Sequence, residues 1–209
     1  ALQGNNIVIG YVETHGRVET ENLLAGLKII PRKVIEYQGH QLEEMDLDAV
    51  LATKPSIALV DEFAHSNMPN SRHEKRWQDI NELLDAGIDV FTTMNIQHLE
   101  SLNDVVFQIT GIRVAETVPD RVFERIRDIR LIDLPVSELL ERLNQGKVYV
   151  PEQAQQALQR FFNHSNLTAL RELAMQTVAS HVDSDVRENF SIQGLVPIPL
   201  KNHILIMLD

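Results

Sequence analysis

Short apolar runs alternate with stretches of helical period along this chain. Residues 7–12, 57–60, 88–93 and 129–133 are apolar over most of their length rather than alternating. Such runs suit strands buried on both faces of a parallel sheet. Between them, apolar positions recur at helical spacing over 18–26, 43–53, 74–86, 97–109, 119–127 and 136–144. Strands separated by helices predict right-handed βαβ crossovers. The expected fold is therefore α/β, a mostly parallel sheet with helices on both faces. Residues 27–39, with Lys33 to Gly39, fit an added edge strand or a hairpin.

The texture changes at Pro151, which suits a helix start. Ala154, Ala157, Leu158, Phe161 and Phe162 follow at helical spacing, as core or interface. Asn166 is placed to cap a further helix running to about Val182, with Leu167, Leu170, Leu173 and Ala174 inward. Residues 183–194 are polar and charged, like a linker, and His203 to Asp209 resembles the first strand of another domain. The division is thus 1–150 for the α/β unit, 151–183 for its helical extension, and 184–209 for linker and strand. Ala1-Leu2-Gln3-Gly4 resembles the last turn of a helix with a C-terminal glycine. The chain is expected to begin midway through a βα unit.

Composition narrows this only a little. At 44% hydrophobic and 23% charged, the 209 residues are those of an ordinary globular chain. No run approaches the roughly 20 apolar residues that span a bilayer, and no signal peptide is visible. The absence of cysteine removes disulfides and thiolate zinc sites and fits a reducing compartment. A net charge of −11 argues against a broad nucleic-acid surface. The eight histidines are scattered without metal-ligand spacing.

The sharpest local signal is Ile57-Ala58-Leu59-Val60-Asp61-Glu62, an apolar strand ending in two carboxylates. This is the Walker B shape, in which Asp61 would orient Mg²⁺ and its waters and Glu62 would polarise an attacking water. A strand simply entering solvent gives the same pattern. Gly10 to Val18 is rejected as a Walker A loop: its glycines are one residue too far apart, Arg17 stands for Lys, and no hydroxyl follows. Glu13 and Arg17 follow the first strand, where one could orient water and the other meet phosphate; a polar βα turn is the alternative. Asn95 and Gln97, after the third strand, suit contact with a terminal phosphate, or Asn95 caps the next helix. The long polar loop carrying His65, Arg72, His73, Lys75 and Arg76 suits a switch around bound phosphate, and 65–73 are expected to be mobile or to depend on ligand state. Trp77, the only tryptophan, reads as a packing anchor.

Several unusual strings in order identify a family. They are Tyr11-Val12-Glu13-Thr14-His15-Gly16-Arg17, Asp61-Glu62-Phe63-Ala64-His65-Ser66-Asn67, Ser71 to Asp79, Asn95 to Asp104, Glu116-Thr117-Val118-Pro119-Asp120, Gly146 to Val150 and Asn166 to Ala174. Over about residues 7–183 the chain resembles the N-terminal cytoplasmic sensor domain of the KdpD-type potassium sensor histidine kinases. The resemblance implies a P-loop NTPase-like fold whose Walker A unit lies upstream of these residues, with Asp61-Glu62 on its Walker B. It implies ATP with Mg as ligand and a regulatory role. It places Ile204 to Asp209 at the opening strand of a universal-stress-protein-like domain. It further implies a parent that is a multi-pass inner-membrane kinase with this segment in the cytoplasm. That parent autophosphorylates a histidine, partners a KdpE-type response regulator, controls a high-affinity potassium transport system, and can form a homodimer. The kinase core and the spans are not in this sequence, which itself makes no membrane contact. Two functions lead: a nucleotide-binding regulatory sensor domain, or a non-catalytic module that binds a response regulator or another kinase domain; a stand-alone ATPase is the third, weakened because no phosphate loop is present in the sequence.

Overall fold

The structure, a computed structural model, describes residues 6–145 and 161–192, those beyond 181 by backbone course alone. Four strands form one parallel sheet: β1 (Ile7–Tyr11), β2 (Lys28–Ile29), β5 (Ile57–Val60) and β6 (Asp89–Phe91), in the order β2-β1-β5-β6. β1 and β5 align Ile7 with Ile57 and Ile9 with Leu59, and the register then slips so that Tyr11 meets Val60. The slip falls at Gly10, where a Cβ would lie 3.3 Å from both Val50 and Val60. A side chain there would require both valine methyls to give by a few tenths of an ångström.

The segment around 33–39 is the hairpin, β3 (Lys33–Tyr37) against β4 (His40–Glu44), paired antiparallel outside the main sheet. Gln38 and Gly39 make the turn with φ of 51° and 79°, the left-handed pair that a tight hairpin requires. Its second strand takes Glu43 and Glu44 away from the helix expected to begin at 43. That helix, α2 (Leu47–Thr53), starts only where Asp46 accepts the Ala49 N–H at 3.0 Å.

Helix α1 (Val18–Leu24) joins β1 to β2 and buries none of its residues, whereas α3 (Arg76–Asp85) joins β5 to β6 and buries Arg76, Asp79, Ile80 and Leu83. The stretch expected as one helix over 97–109 is broken. Two 3₁₀ turns, Ile96–His98 and Glu100–Leu102, precede α4 (Asn103–Thr110). The break is at buried Leu99, which bridges Val118, with Glu100 N–H donating to the Val118 carbonyl and Val118 N–H to that of His98. The helix expected over 119–127 is one turn, α5 (Asp120–Phe123). Helix α6 (Val136–Asn144) keeps its expected bounds.

The strand expected at 129–133 is not formed. Ile132 is 84% exposed, and Asp133 is held by the Arg171 side chain, with one contact at 2.6 Å. That pair straps the segment to α7 (His164–Ile192), not to the sheet edge. Helix α7 also runs on through Ile192 instead of stopping near Val182. Its Leu170 packs with Val106 and Phe161 in a second, smaller core, with Leu173 partly buried against it. The remaining residues of the helix expected from Pro151, and the strand expected at 203–209, lie outside the described residues.

The hairpin turn generates a stability prediction. Gln38 is a non-glycine residue in the left-handed region, which costs about 1–2 kcal/mol, and asparagine tolerates that region better. Gln38→Asn should raise the unfolding free energy by about 0.5–1 kcal/mol, read by urea denaturation; a loss of stability would contradict this geometry.

Candidate functional site

Because β1, β5 and β6 run parallel, the residues beyond their ends gather at one sheet edge. In open α/β sheets this carboxyl edge is where ligands bind. Asp61 is tied to both neighbouring strands there. Its N–H donates to the Tyr11 carbonyl at 2.8 Å, and its Oδ1 accepts from the Thr93 hydroxyl. Phe63 N–H completes the stitch by donating to the Thr93 carbonyl at 2.9 Å.

Glu62 N–H donates to the same Oδ1 at 3.0 Å, and Glu62 has φ of 60°. A non-glycine residue in that region beside a ligand edge is strain of the kind held at functional sites. Glu13, one strand over, receives Arg32 at 3.1 Å, the Tyr11 hydroxyl at 3.4 Å and the His15 N–H at 3.2 Å. Burial pushes the Glu13 carboxyl upward, but the His15 amide and the Arg32 charge outweigh it and hold it below the ordinary carboxylate value.

Beneath this edge lies a buried ionic hub. Arg76 is fully buried and pairs with Glu44, itself only 3% exposed. The Arg76 side chain also donates to Asn67 Oδ1 at 3.3 Å and to the Asp61 carbonyl at 3.4 Å, and it lies 4.2 Å from the Tyr11 ring centroid. Glu44 accepts further bonds from Met45 N–H at 2.8 Å, Met68 N–H at 3.1 Å and the His65 ring at 3.2 Å. Burial works against its charge. The His65 bond, the Arg76 charge and the two amides outweigh burial and hold the carboxyl at about 2. Asp79 goes the other way: burial raises it, although it accepts from Asn67 at 2.6 Å.

The hub ties down much of the 65–73 loop, expected to be mobile or to depend on ligand state. Asn67 N–H donates to the Glu74 carbonyl at 2.9 Å, Arg76 N–H to that of His65 at 3.0 Å, and Ser66 N–H to Glu116 at 2.7 Å. Lys75 reaches the Ser66 hydroxyl at 2.6 Å. Arg72 bridges Asp48 and Glu82, and His73 contacts Glu82 at 2.7 Å. These bonds close the loop on itself and on α2 and α3. Arg76, expected among the loop's cations, is core. Trp77 packs partly buried against the main core.

The structure thus brings Asp61, Glu62 and Glu13 to one edge. Arg17 is exposed and turns back, its Nε donating to the Thr14 carbonyl at 3.0 Å. Asn95 precedes the first 3₁₀ turn and accepts the His98 N–H at 3.1 Å through its carbonyl, with no cap bond from its side chain. Gln97 is half-buried within that turn. The described hydrogen bonds and ion pairs link none of these three to Asp61. Sequence reasoning missed Glu44, Thr93 and Arg32. Thr93 could have been found as the hydroxyl ending the strand beside the Walker B strand, whereas Glu44 was concealed inside a helical pattern.

Among the described residues no group of three or more His, Asp or Glu side chains could hold a metal ion. Asp61 with the Thr93 hydroxyl suits a hydrated Mg²⁺ instead, because that ion keeps several waters and takes one or two carboxylates.

Stability should follow Glu44 with pH. Its folded value of about 2 lies below the ordinary 4.5, so its contribution is complete above pH 4.5 and is lost as pH falls toward 2, on the order of 3 kcal/mol. Asp79, displaced upward, acts with the opposite sign. Urea denaturation should show wild-type stability falling across that window and a flatter profile in Glu44→Gln; parallel profiles would contradict the assignment.

Comparison with known proteins bears on this edge. A family model described as KdpD, the osmosensitive K⁺ channel His kinase sensor domain, matches residues 1–182. The sensor protein KdpD of Escherichia coli K12 is 57% identical over 185 residues, covering 88% of this chain and 21% of that protein. That of Clostridium acetobutylicum is 51% identical over 183 residues, covering 88% and 20%. That of Mycobacterium tuberculosis H37Rv is 48% identical over 177 residues, covering 85% and 21%. The chain spans about a fifth of the length of these relatives.

Proposed function

The chain belongs to the KdpD osmosensitive sensor-domain family, and we propose that it is a nucleotide-binding regulatory domain of a potassium-responsive two-component histidine kinase. The observation that carries this reading is the placement of Asp61, stitched to both neighbouring strands at the carboxyl edge with Glu62 beside it. ATP with Mg is the ligand class. Bound Mg²⁺ would neutralise phosphate charge, and Asp61 would hold its waters. Glu62, one residue on and strained outward, would accept a proton from water. Glu13, kept ionised by Arg32 and the His15 amide, would orient that water. The described residues at this edge supply no glycine-rich phosphate cradle. In the parent, nucleotide occupancy would tune the kinase toward its response regulator, from the cytoplasmic side of the membrane.

A second reading is supported by α1, which buries nothing and leaves Val18 66% and Leu23 79% exposed. It makes the domain a module that binds the response regulator or another kinase domain without using nucleotide.

Calorimetry on the parent's sensor region, extended upstream of residue 1, separates the two. Asp61→Asn should weaken Mg-dependent ATP binding. Glu62→Gln should keep binding but slow phosphate release by about 10²–10⁴. Unchanged Mg–ATP affinity in Asp61→Asn would remove the nucleotide reading and leave the interaction module.

A further inference from the structure

His65 is a partner of the buried hub that also reaches the sheet edge. It follows the Asp61-Glu62 pair by one helical turn's spacing, and its N–H donates to the Glu62 carbonyl at 3.0 Å. Its ring stacks on Tyr11 with the planes 20° apart. One ring nitrogen, Nε2, lies 3.2 Å from the buried Glu44 carboxylate, and the other, Nδ1, lies 3.8 Å from the Glu62 carboxylate. The ring therefore stands between a carboxylate sealed in the hub and a carboxylate on the ligand edge.

The two sides are not equivalent. Glu44 is ionised at neutral pH, since its partners hold it at about 2, and an ionised carboxylate only accepts. Nε2 must then carry the hydrogen that meets it, and Nδ1 is left to face Glu62. A buried carboxylate that fixes the tautomer and the orientation of an imidazole is the arrangement by which a His is aimed at a reacting group. At 3.8 Å the outer contact is too long for a direct hydrogen bond, and it becomes an ion pair only when Nδ1 also carries a hydrogen. Glu44 closes the β4 strand of the hairpin, so the chain of contacts runs from hairpin to sheet edge.

We propose that His65 is a positioning residue: held at Nε2 by Glu44, it aims Nδ1 at Glu62 and couples the β3–β4 hairpin to the orientation of the sheet-edge carboxylate. The value of that orientation for water activation rests on the nucleotide reading; the coupling itself does not. A shift of the hairpin is transmitted through Glu44 and the ring to Glu62, and a ligand that draws Glu62 away loosens His65 in return.

The test uses the 209-residue protein labelled with ¹⁵N-histidine, with the His65 resonances assigned by their loss in His65→Gln. Wild type should show a hydrogen on Nε2. Glu62→Gln should displace the Nδ1 resonance while the Nε2 resonance and the melting temperature stay in place. In His65→Gln an amide replaces Nε2 against Glu44, so the melting temperature should hold while the Glu62 carboxylate ¹³C resonance moves. A hydrogen on Nδ1 with a bare Nε2, or an Nδ1 resonance indifferent to Glu62→Gln, would overturn the proposal. No nucleotide is present in these measurements, so a failure of ATP binding cannot imitate either result.

Discussion

The ion pair between Arg76 and Glu44 is the constraint on which the sheet edge around Asp61 depends. Both groups are withdrawn from water, and such a pair is stable only if the remaining donors and acceptors are also met. Here they are. Arg76 also reaches Asn67 and the Asp61 carbonyl, and Glu44 takes two backbone amides and the His65 ring. Removing one partner from a pair of this kind costs about 3–5 kcal/mol, because the other charge is stranded. The pair joins four separate pieces of chain: the end of the hairpin, the end of β5, the loop after it and the first turn of α3. Strand pairing alone would align β5 with its neighbours and leave the loop beyond it free to move.

The same bonds tie down part of the loop expected to be mobile or ligand-dependent. The loop after Glu62 is long and polar, and polarity suggests solvation. Several of its polar groups are instead spent on Glu44, Asp79, Glu116 and each other. The edge is thereby set in advance: Asp61 fixed between Tyr11 and Thr93, and Glu62 held in the left-handed region by the same bonds. Preset geometry of this kind lowers the ordering cost of binding.

Much of the fold was legible in the sequence, for a definite reason. β1 and β5 are short apolar runs at the centre of a parallel sheet, and burial on both faces writes itself into composition. Their common direction placed Glu13, Asp61 and Glu62 at one edge. Residues 129–133 misled because an apolar run states only that a strand is permitted; Asp133 found Arg171, 38 residues on, and strapped the run to a helix. The stretch 43–53 misled because Glu43 and Glu44 satisfy a helical pattern until the hairpin partner, with Lys33 and Val34 opposite them, is known. Glu44 was therefore invisible as a site residue, and Arg76 looked like one more surface cation. Long-range ion pairs carry no local period, so the residue that organises the site was the hardest to see.

The central claim is that the hub, rather than strand pairing, fixes the loop behind the ligand edge. Native-state hydrogen exchange at the Met68 amide, whose N–H donates to Glu44 at 3.1 Å, tests it most directly. The account predicts that Met68 exchanges as slowly as the β5 amides, and that Arg76→Lys speeds Met68 while leaving the β5 amides near their wild-type protection. Met68 exchanging at the rate of an open loop in the wild-type protein would contradict it.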